Sequence, residues 1–190
     1  MANVNAASGL TPVSHINGSG WNGKTSVYYI AQADTNVYAV GDVVVSTPGA
    51  GDGVVNGVLV NGVPQVTKAG LASNPRGVIV SVQQDRNGNG ERVIPATKLR
   101  GYFVNVADDP LLVFQLQAEN TTAVPVTAIG KYADLNIALS VSGQGVSGTQ
   151  LATASITTTA NVPLKILGVA LGDLTAYTQL LVCFNNHDLG

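Results

Sequence analysis

The sequence predicts an all-β protein with a single antiparallel sandwich or barrel, and three observations lead to this fold class. Apolar and polar residues alternate with a period of two in several short segments, which is the pattern of strands with one buried face. With 22 glycines and 8 prolines, no window of about 12 residues keeps a clean helical period. Asn-Gly pairs, the strongest short hairpin signal, begin at Asn17, Asn22, Asn56, Asn61, Asn87 and Asn89.

The apolar and alternating segments predict strands in chain order at residues 26–31, 36–46, 54–60, 77–82, 99–106, 111–117, 135–140, 164–171 and 178–184. Segments 77–82 and 178–184 are apolar on both faces, so we expect them in the central core. In segment 111–117, Gln115 and Gln117 alternate with apolar residues, so we expect these glutamines on the face away from the core.

The chain is predicted to form one domain, residues 22–190, preceded by an extended N-terminal arm, residues 1–21, that is available for contact with a partner. Its 190 residues, 45% of them hydrophobic, suffice for a large core without a metal or a disulfide. The Gly-, Ser- and Thr-rich tract 142–161 is expected to be a long loop. Cys183, the single cysteine, lies in an apolar run and is predicted to be a buried thiol, which fits assembly in a reducing cytoplasm.

Charge and hydropathy exclude several partners. Charged residues make up 11% of the chain, against about 25% in a typical soluble protein, so much of the surface is expected to be uncharged or covered. The net charge is −2 and the nine basic residues are scattered, so we expect no direct contact with nucleic acid. No apolar run approaches the roughly 18 residues that span a bilayer, so we expect no membrane segment.

Residues 18–25 match the phosphate-binding formula G-x-x-x-x-G-K-T letter for letter. That loop requires a buried strand before it and a helix after it, because the helix N-terminus favours the anion. Here the residues after Thr25 include Val27, Tyr28, Tyr29 and Ile30, which predict a strand. We therefore interpret the segment as two turns that flank a packed Trp21.

Residues 85–90 resemble the first half of a calcium-binding loop. The second half does not fit, because Ala96 stands where a bidentate Glu belongs. The sequence predicts a polar hairpin tip, with a weak surface metal site as the alternative. The candidate ligands for that site are Asp85, Asn87, Asn89 and Glu91.

The remaining reactive side chains form no catalytic pattern. His15 and His187 lie near opposite ends of the chain and lack ligands at metal-binding spacing. Asp108 and Asp109 precede Pro110, which is ordinary turn chemistry. No serine lies in a nucleophile elbow. We expect no catalytic residue and no cofactor, and we predict that the chain is not an enzyme.

Four parts of the sequence share a family resemblance. They are residues 2–5 with Gly9, Leu10, Pro12 and Val13, the turn 21–23, the stretch 102–114 with residues 106–110, and the ending 180–189 with Asn185, Asn186 and His187. Together they resemble the capsid decoration, or cement, proteins of tailed bacteriophages. The resemblance covers nearly the whole chain. It implies a jelly-roll-like or barrel-like domain that acts as a small homo-oligomer, binds the outer surface of an assembled virion capsid and clamps the major capsid protein.

Low charge and abundant hairpins suit the same role, since exposed strand edges can pair with a neighbouring chain. The scarce aromatic residues Trp21, Tyr28, Tyr29 and Tyr38 are candidate interface anchors, with burial in the core as the alternative for each. A competing hypothesis is a receptor- or glycan-binding virion module, such as a head-fibre or tail-fibre domain. That function needs an aromatic platform beside carboxylates, and the sequence shows no such cluster.

Overall fold

The computed structural model describes residues 3–55, 58–70, 73–83, 92–119, 123–137, 145–171 and 174–189, and these residues confirm the all-β prediction. The strands are β1 (Thr11–His15), β2 (Ser26–Ile30), β3 (Tyr38–Ala39), β4 (Val43–Val55), β5 (Val58–Lys68), β6 (Gly77–Val82), β7 (Val93–Ile94), β8 (Tyr102–Ala107), β9 (Leu112–Gln117), β10 (Tyr132–Ala133), β11 (Leu135–Asn136), β12 (Gln150–Leu151), β13 (Leu164–Leu171) and β14 (Gln179–Phe184). Short 3-10 helices occupy Val126–Ala128 and Thr153–Ser155. Within the described residues, no helix has the length and apolar character to cross a membrane.

Five strands close a barrel in the order β2-β5-β4-β6-β8. All pairs in the barrel are antiparallel except β2 with β5, which are parallel and meet at Tyr29 and Gln65. Buried side chains from these strands and from the short pair β3 and β7, among them Tyr38, Ile79 and Val104, fill the interior. The barrel therefore has a core of its own.

A second sheet, in the order β1-β9-β14-β13-β10, is antiparallel throughout and packs on the outside of the barrel. The strand β6 belongs to both cores, because Val78 contacts the sheet layer while Ile79 points into the barrel. This is the alternation that a period-two strand gives between two packed layers. The prediction that segments 77–82 and 178–184 are core strands is confirmed, with Phe114 and Val182 central to the second core.

The first residues of the chain run along the second sheet. Strand β1 is its edge strand and pairs with β9, and Leu10 is buried in the core between the layers. Before β1, the side chain of Gln117 donates to the carbonyl of Val4 and accepts from the amide of Ala6. Gln117 alternates with the core residues Phe114 and Leu116, as expected, but its face is not open, because the N-terminal segment covers it and satisfies its amide.

Strands β4 and β5 form a hairpin longer than the barrel requires. The two strands pair with each other from Ala50 opposite Pro64 to Val55 opposite Val58. The predicted strand 54–60 is thus divided between β4 and β5, and residues 56 and 57 lie outside the described residues. The turn predicted at Asn61 is wrong, since Asn61 and Gly62 lie within β5, where Gly62 has a φ of +69°. Its amide donates to Asp52 across an irregular register.

The hairpin lies against an aromatic pair on the barrel wall. The rings of Tyr29 and Phe103 are 5.5 Å apart. A Cβ atom at Gly51 would come within 2.1 Å of the Tyr29 ring, and one at Gly53 within 2.6 Å of Phe103. Only glycine permits an approach this close, so these two positions fix where the hairpin can rest.

The predicted loop 142–161 is more structured than expected. It contains β12, and Ser147 and Thr149 are almost fully buried. Both hydroxyls hydrogen-bond to each other and reach the buried carboxylate of Asp42. Burial of these small polar residues is stable because each finds a partner. Of the predicted strand 135–140, β11 is described, and residues 138–140 lie outside the described residues.

Candidate functional site

The four aromatic candidates occupy different environments. Tyr38 is fully buried and Tyr28 is 3% exposed, so both adopt the core alternative that the sequence left open and present no surface to a partner. Tyr29 is half-buried under the β4–β5 hairpin. Trp21 is also half-buried and packs against the edge of the second core. Trp21 also lines a surface cleft formed by described residues.

The Tyr38 hydroxyl belongs to a polar network at the barrel. It donates to Asp34 at 2.6 Å, and Thr67 donates to the same carboxylate oxygen at 2.7 Å. The ammonium of Lys98, fully buried, donates to the backbone carbonyls of Asp34 at 2.5 Å and Asn36 at 2.7 Å. Because these groups satisfy one another inside the chain, the network holds the segment 34–38 onto the barrel.

Burial and nearby charge shift the pKa values of Lys98 and Asp34 in opposite directions. Burial lowers the pKa of Lys98, although the nearby Asp34 carboxylate opposes that shift. Burial acts to raise the pKa of Asp34, but the hydrogen bonds from Tyr38 and Thr67 and the charge of Lys98 lower it overall. The pKa of Tyr38 is raised by burial and by the adjacent Asp34. The Lys98 ammonium and the Asp34 carboxylate lie 3.7 Å apart within this network, and each acts on the pKa of the other.

The described surface contains a cleft of about 360 Å³ between the start of β2, the residues after β8 and the end of the chain. Its lining combines one aromatic ring, two carboxylates, two basic side chains and a hydroxyl. The lining residues are His15, Trp21, Lys24, Ser26, Asp108, Asp109, Pro110 and Leu189. Antiparallel pairing of β2 with β8, which begins at Ser26 and Val106, brings these distant segments together.

Asp108 is the most strongly held group in the cleft. Its carboxylate accepts a hydrogen bond from Ser26 at 3.1 Å and one from Tyr28 at 2.7 Å, and Arg76 lies 3.7 Å away. The Arg76 guanidinium also donates to the Tyr28 hydroxyl at 2.6 Å and lies over its ring. Burial and the hydrogen bond to Asp108 raise the pKa of Tyr28 to about 12. Arg76 reaches a second carboxylate, that of Asp188, at 3.9 Å.

Asp109 and the basic residues form the outer part of the cleft. The amide of Leu111 donates to one oxygen of Asp109 at 2.8 Å, which is the turn chemistry predicted for Asp-Asp-Pro. Its other oxygen lies 3.5 Å from Nε2 of His15. Lys24 is exposed, and its ammonium has no ion pair among the residues that the structure describes.

The phosphate-loop formula at residues 18–25 falls on the rim of this cleft. Gly18 completes a tight turn after β1, with its amide donating to the carbonyl of His15, and the amide of Lys24 donates to the side chain of Asn22. The residues after Thr25 form strand β2, as predicted, so the segment lacks the helix that an anion-binding loop needs. The segment positions Trp21 instead.

Sequence reasoning missed the cleft because its parts lie far apart along the chain. From the sequence, Asp108 and Asp109 are predicted to form a local turn. Trp21 is predicted to be a packed residue between two turns. No period or spacing relates residue 21 to residue 108, since the pairings of β2 with β8 and of β1 with β9 bring them together. Arg76, which fixes Asp108, comes from a third segment, immediately before β6.

The candidate ligands Asp85, Asn87, Asn89 and Glu91 lie outside the described residues. Within the described part of the chain, no group of three or more His, Cys, Asp or Glu side chains is placed to hold a metal ion. Cys183 is buried as predicted, and burial raises the pKa of its thiol. Comparison with protein-family models, with curated proteins and with solved structures finds no match to this chain.

Proposed function

We propose that the chain is a non-catalytic structural protein of a bacteriophage virion, which binds the outer surface of the capsid and stabilises the lattice of the major capsid protein. One observation carries the proposal, namely the apolar tip of the β4–β5 hairpin. Val54, Val58 and Leu59 are 48%, 63% and 69% exposed there. Val54 and Leu59 are cross-strand partners, and an exposed apolar pair of this kind suits a surface that another protein covers.

The charge distribution of the hairpin supports a protein partner. Between residues 47 and 67, Asp52 is the one charged residue, and it is used within the hairpin to accept from the amide of Gly62. Edge strands usually carry charged residues that prevent pairing with other chains. The tip of this hairpin lacks that protection, so its backbone is suited to add a strand to a sheet of a neighbouring protein.

A capsid presents the same partner many times, and this repetition makes modest contacts sufficient. If the chain is a dimer or a trimer, each further hairpin that engages the lattice binds at a raised effective concentration. Bridging neighbouring capsid subunits in this way opposes their separation under internal pressure. The chain would then act through its contact surfaces. It would be assembled in the host cytoplasm and would function on the outside of the virion.

The test uses heads prepared without this chain. Such heads should assemble but release DNA at a lower temperature than complete heads, and purified chain should rebind them and restore the higher temperature. A chain that fails to rebind stripped heads under any salt condition would contradict the proposal.

A matched pair of variants locates the contact. Leu59→Lys should weaken rebinding at least tenfold, because burying one leucine contributes about 1.5–3 kcal/mol. Leu171→Lys is the control, since Leu171 is also 69% exposed but lies on β13, outside the hairpin. Equal effects of the two substitutions would show that the hairpin tip is not the contact.

A further inference from the structure

We infer that the cleft lined by Trp21, Ser26, Asp108 and Asp109 is a saccharide-binding site. The sequence shows no aromatic residue beside carboxylates, but the fold places Trp21 in the same cleft as this acidic pair. The inference concerns a second surface of the molecule and stands whether or not the hairpin binds a capsid.

The lining has the two kinds of surface that a pyranose ring presents. Trp21, Pro110 and Leu189 supply apolar area, against which the C–H faces of a sugar can pack. The carboxylates of Asp108 and Asp109 are acceptors for sugar hydroxyls, while His15 and Lys24 can donate to ring and hydroxyl oxygens. The lining exposes more polar than apolar surface, which suits a ligand that is rich in hydroxyl groups.

The charge balance of the cleft favours a neutral ligand over an ion. Asp108 is already compensated by Arg76, and Asp109 lies beside His15. Lys24 adds one positive charge at the exposed edge. Neither sign is in excess by more than about one unit, so neither a phosphate nor a cationic side chain finds the concentrated opposite charge that would offset its desolvation.

The acceptors are held in place before any ligand arrives. Asp108 is fixed by Ser26, Tyr28 and Arg76, and Asp109 is fixed through its bond from the amide of Leu111. Preorganised groups lose little freedom when a ligand binds, which favours affinity. At about 360 Å³ the cleft lies at the lower end of the usual range of about 300–1,000 Å³ for ligand sites, which suits one or two sugar rings.

Trp21 is the single tryptophan of the chain, so its fluorescence reports on the cleft alone. The full chain is titrated with the methyl pyranosides of glucose, galactose, mannose and N-acetylglucosamine, with glycerol as the control for added solute. At least one pyranoside should change the emission saturably, with a dissociation constant of about 1 mM, as expected for a ligand of this size. No saturable change with any of the four up to about 100 mM would overturn the inference.

Two variants that each remove one negative charge assign the binding to the cleft. Asp109→Asn keeps an acceptor for the amide of Leu111 but removes the carboxylate, and it should weaken binding about tenfold, as for loss of a hydrogen bond to a charged group. Asp52→Asn makes the same change on the hairpin and should leave binding unaltered. If Asp109→Asn binds the pyranoside as tightly as the original chain does, or if both variants weaken binding equally, the cleft is not a saccharide site.

Discussion

Replacement of Lys98 by methionine should destabilise the fold strongly, because the ammonium of Lys98 is the donor that holds the segment 34–38 on the barrel. It makes hydrogen bonds of 2.5 and 2.7 Å to the carbonyls of Asp34 and Asn36, and it lies 3.7 Å from the Asp34 carboxylate. Methionine has a similar volume and no donor. The change therefore leaves two carbonyls and one carboxylate without their cationic partner.

The size of the effect follows from these contacts. Each hydrogen bond to a charged group contributes about 1.5–3 kcal/mol, so two of them give roughly 3–6 kcal/mol. Methionine avoids the desolvation of the ammonium, which returns part of that amount and is visible in the lowered pKa of Lys98. We expect a net loss of about 3 kcal/mol, in line with the removal of one partner from a buried ion pair. For a chain of this length the midpoint of thermal unfolding should fall by about 6–12 °C.

Thermal unfolding followed by circular dichroism at pH 7 measures the shift. Lys24→Met is the control, since Lys24 is exposed and a surface substitution of this kind changes stability by no more than about 0.5 kcal/mol. The reasoning is refuted if Lys98→Met unfolds within about 1 °C of the original chain. A rise in the midpoint would mean that burying the ammonium destabilises the fold more than its hydrogen bonds stabilise it.

Two further predictions concern the hairpin and the end of the chain. In a urea titration, Gly51→Ala should destabilise the chain by about 1–3 kcal/mol, because the new Cβ atom would lie 2.1 Å from the Tyr29 ring. Gly168→Ala is the control and should be near neutral, because a Cβ atom at that position would have no neighbouring atom within 4 Å. Burial lowers the pKa of His187, with the charge of Arg76 acting in the same direction, so the unfolded chain binds the proton more tightly than the folded chain does. The free energy of unfolding should therefore be highest near pH 7 and should decrease as the pH drops below about 6.5. His187→Asn should make this decrease smaller. If the free energy of unfolding of His187→Asn decreases between pH 7 and pH 5 as steeply as that of the original chain, His187 is not its cause.

Local patterns were sufficient to predict several strands, but not β1, which lies in the predicted arm 1–21, or β12, which lies in the predicted loop 142–161. The predicted segment 77–82 and β6 coincide, and 26–31 and 178–184 differ from β2 and β14 by one residue at one end. The reason is that period-two alternation and turn residues act within a few positions of each other. Asn61 shows the limit of such signals, since an Asn-Gly pair also suits an irregular position inside a strand, where Gly62 adopts a positive φ.

Contacts between residues that lie far apart along the chain could not be predicted from the sequence. The covering of Gln117 by residues 4–6 depends on a contact across more than 100 positions. The cleft likewise depends on the pairing of β2 with β8. Nothing in the sequence of either strand indicates that it pairs with the other. The local pattern predicts that polar residues in such places are exposed to solvent. Hydrophobic periodicity does not show which distant group will cover them and form their hydrogen bonds.

The glycines of the β4–β5 hairpin connect the fold to the proposed function. A glycine inside a strand destabilises it by about 0.5–1 kcal/mol relative to alanine, so Gly51 and Gly53 weaken the isolated hairpin. Within the fold they allow the strand to lie directly on the rings of Tyr29 and Phe103, and the burial of those rings offsets the loss. The direction of the hairpin is then set by the barrel, and its apolar tip is presented in one orientation. A tip fixed in this way loses less conformational freedom on binding than a mobile loop of the same composition would.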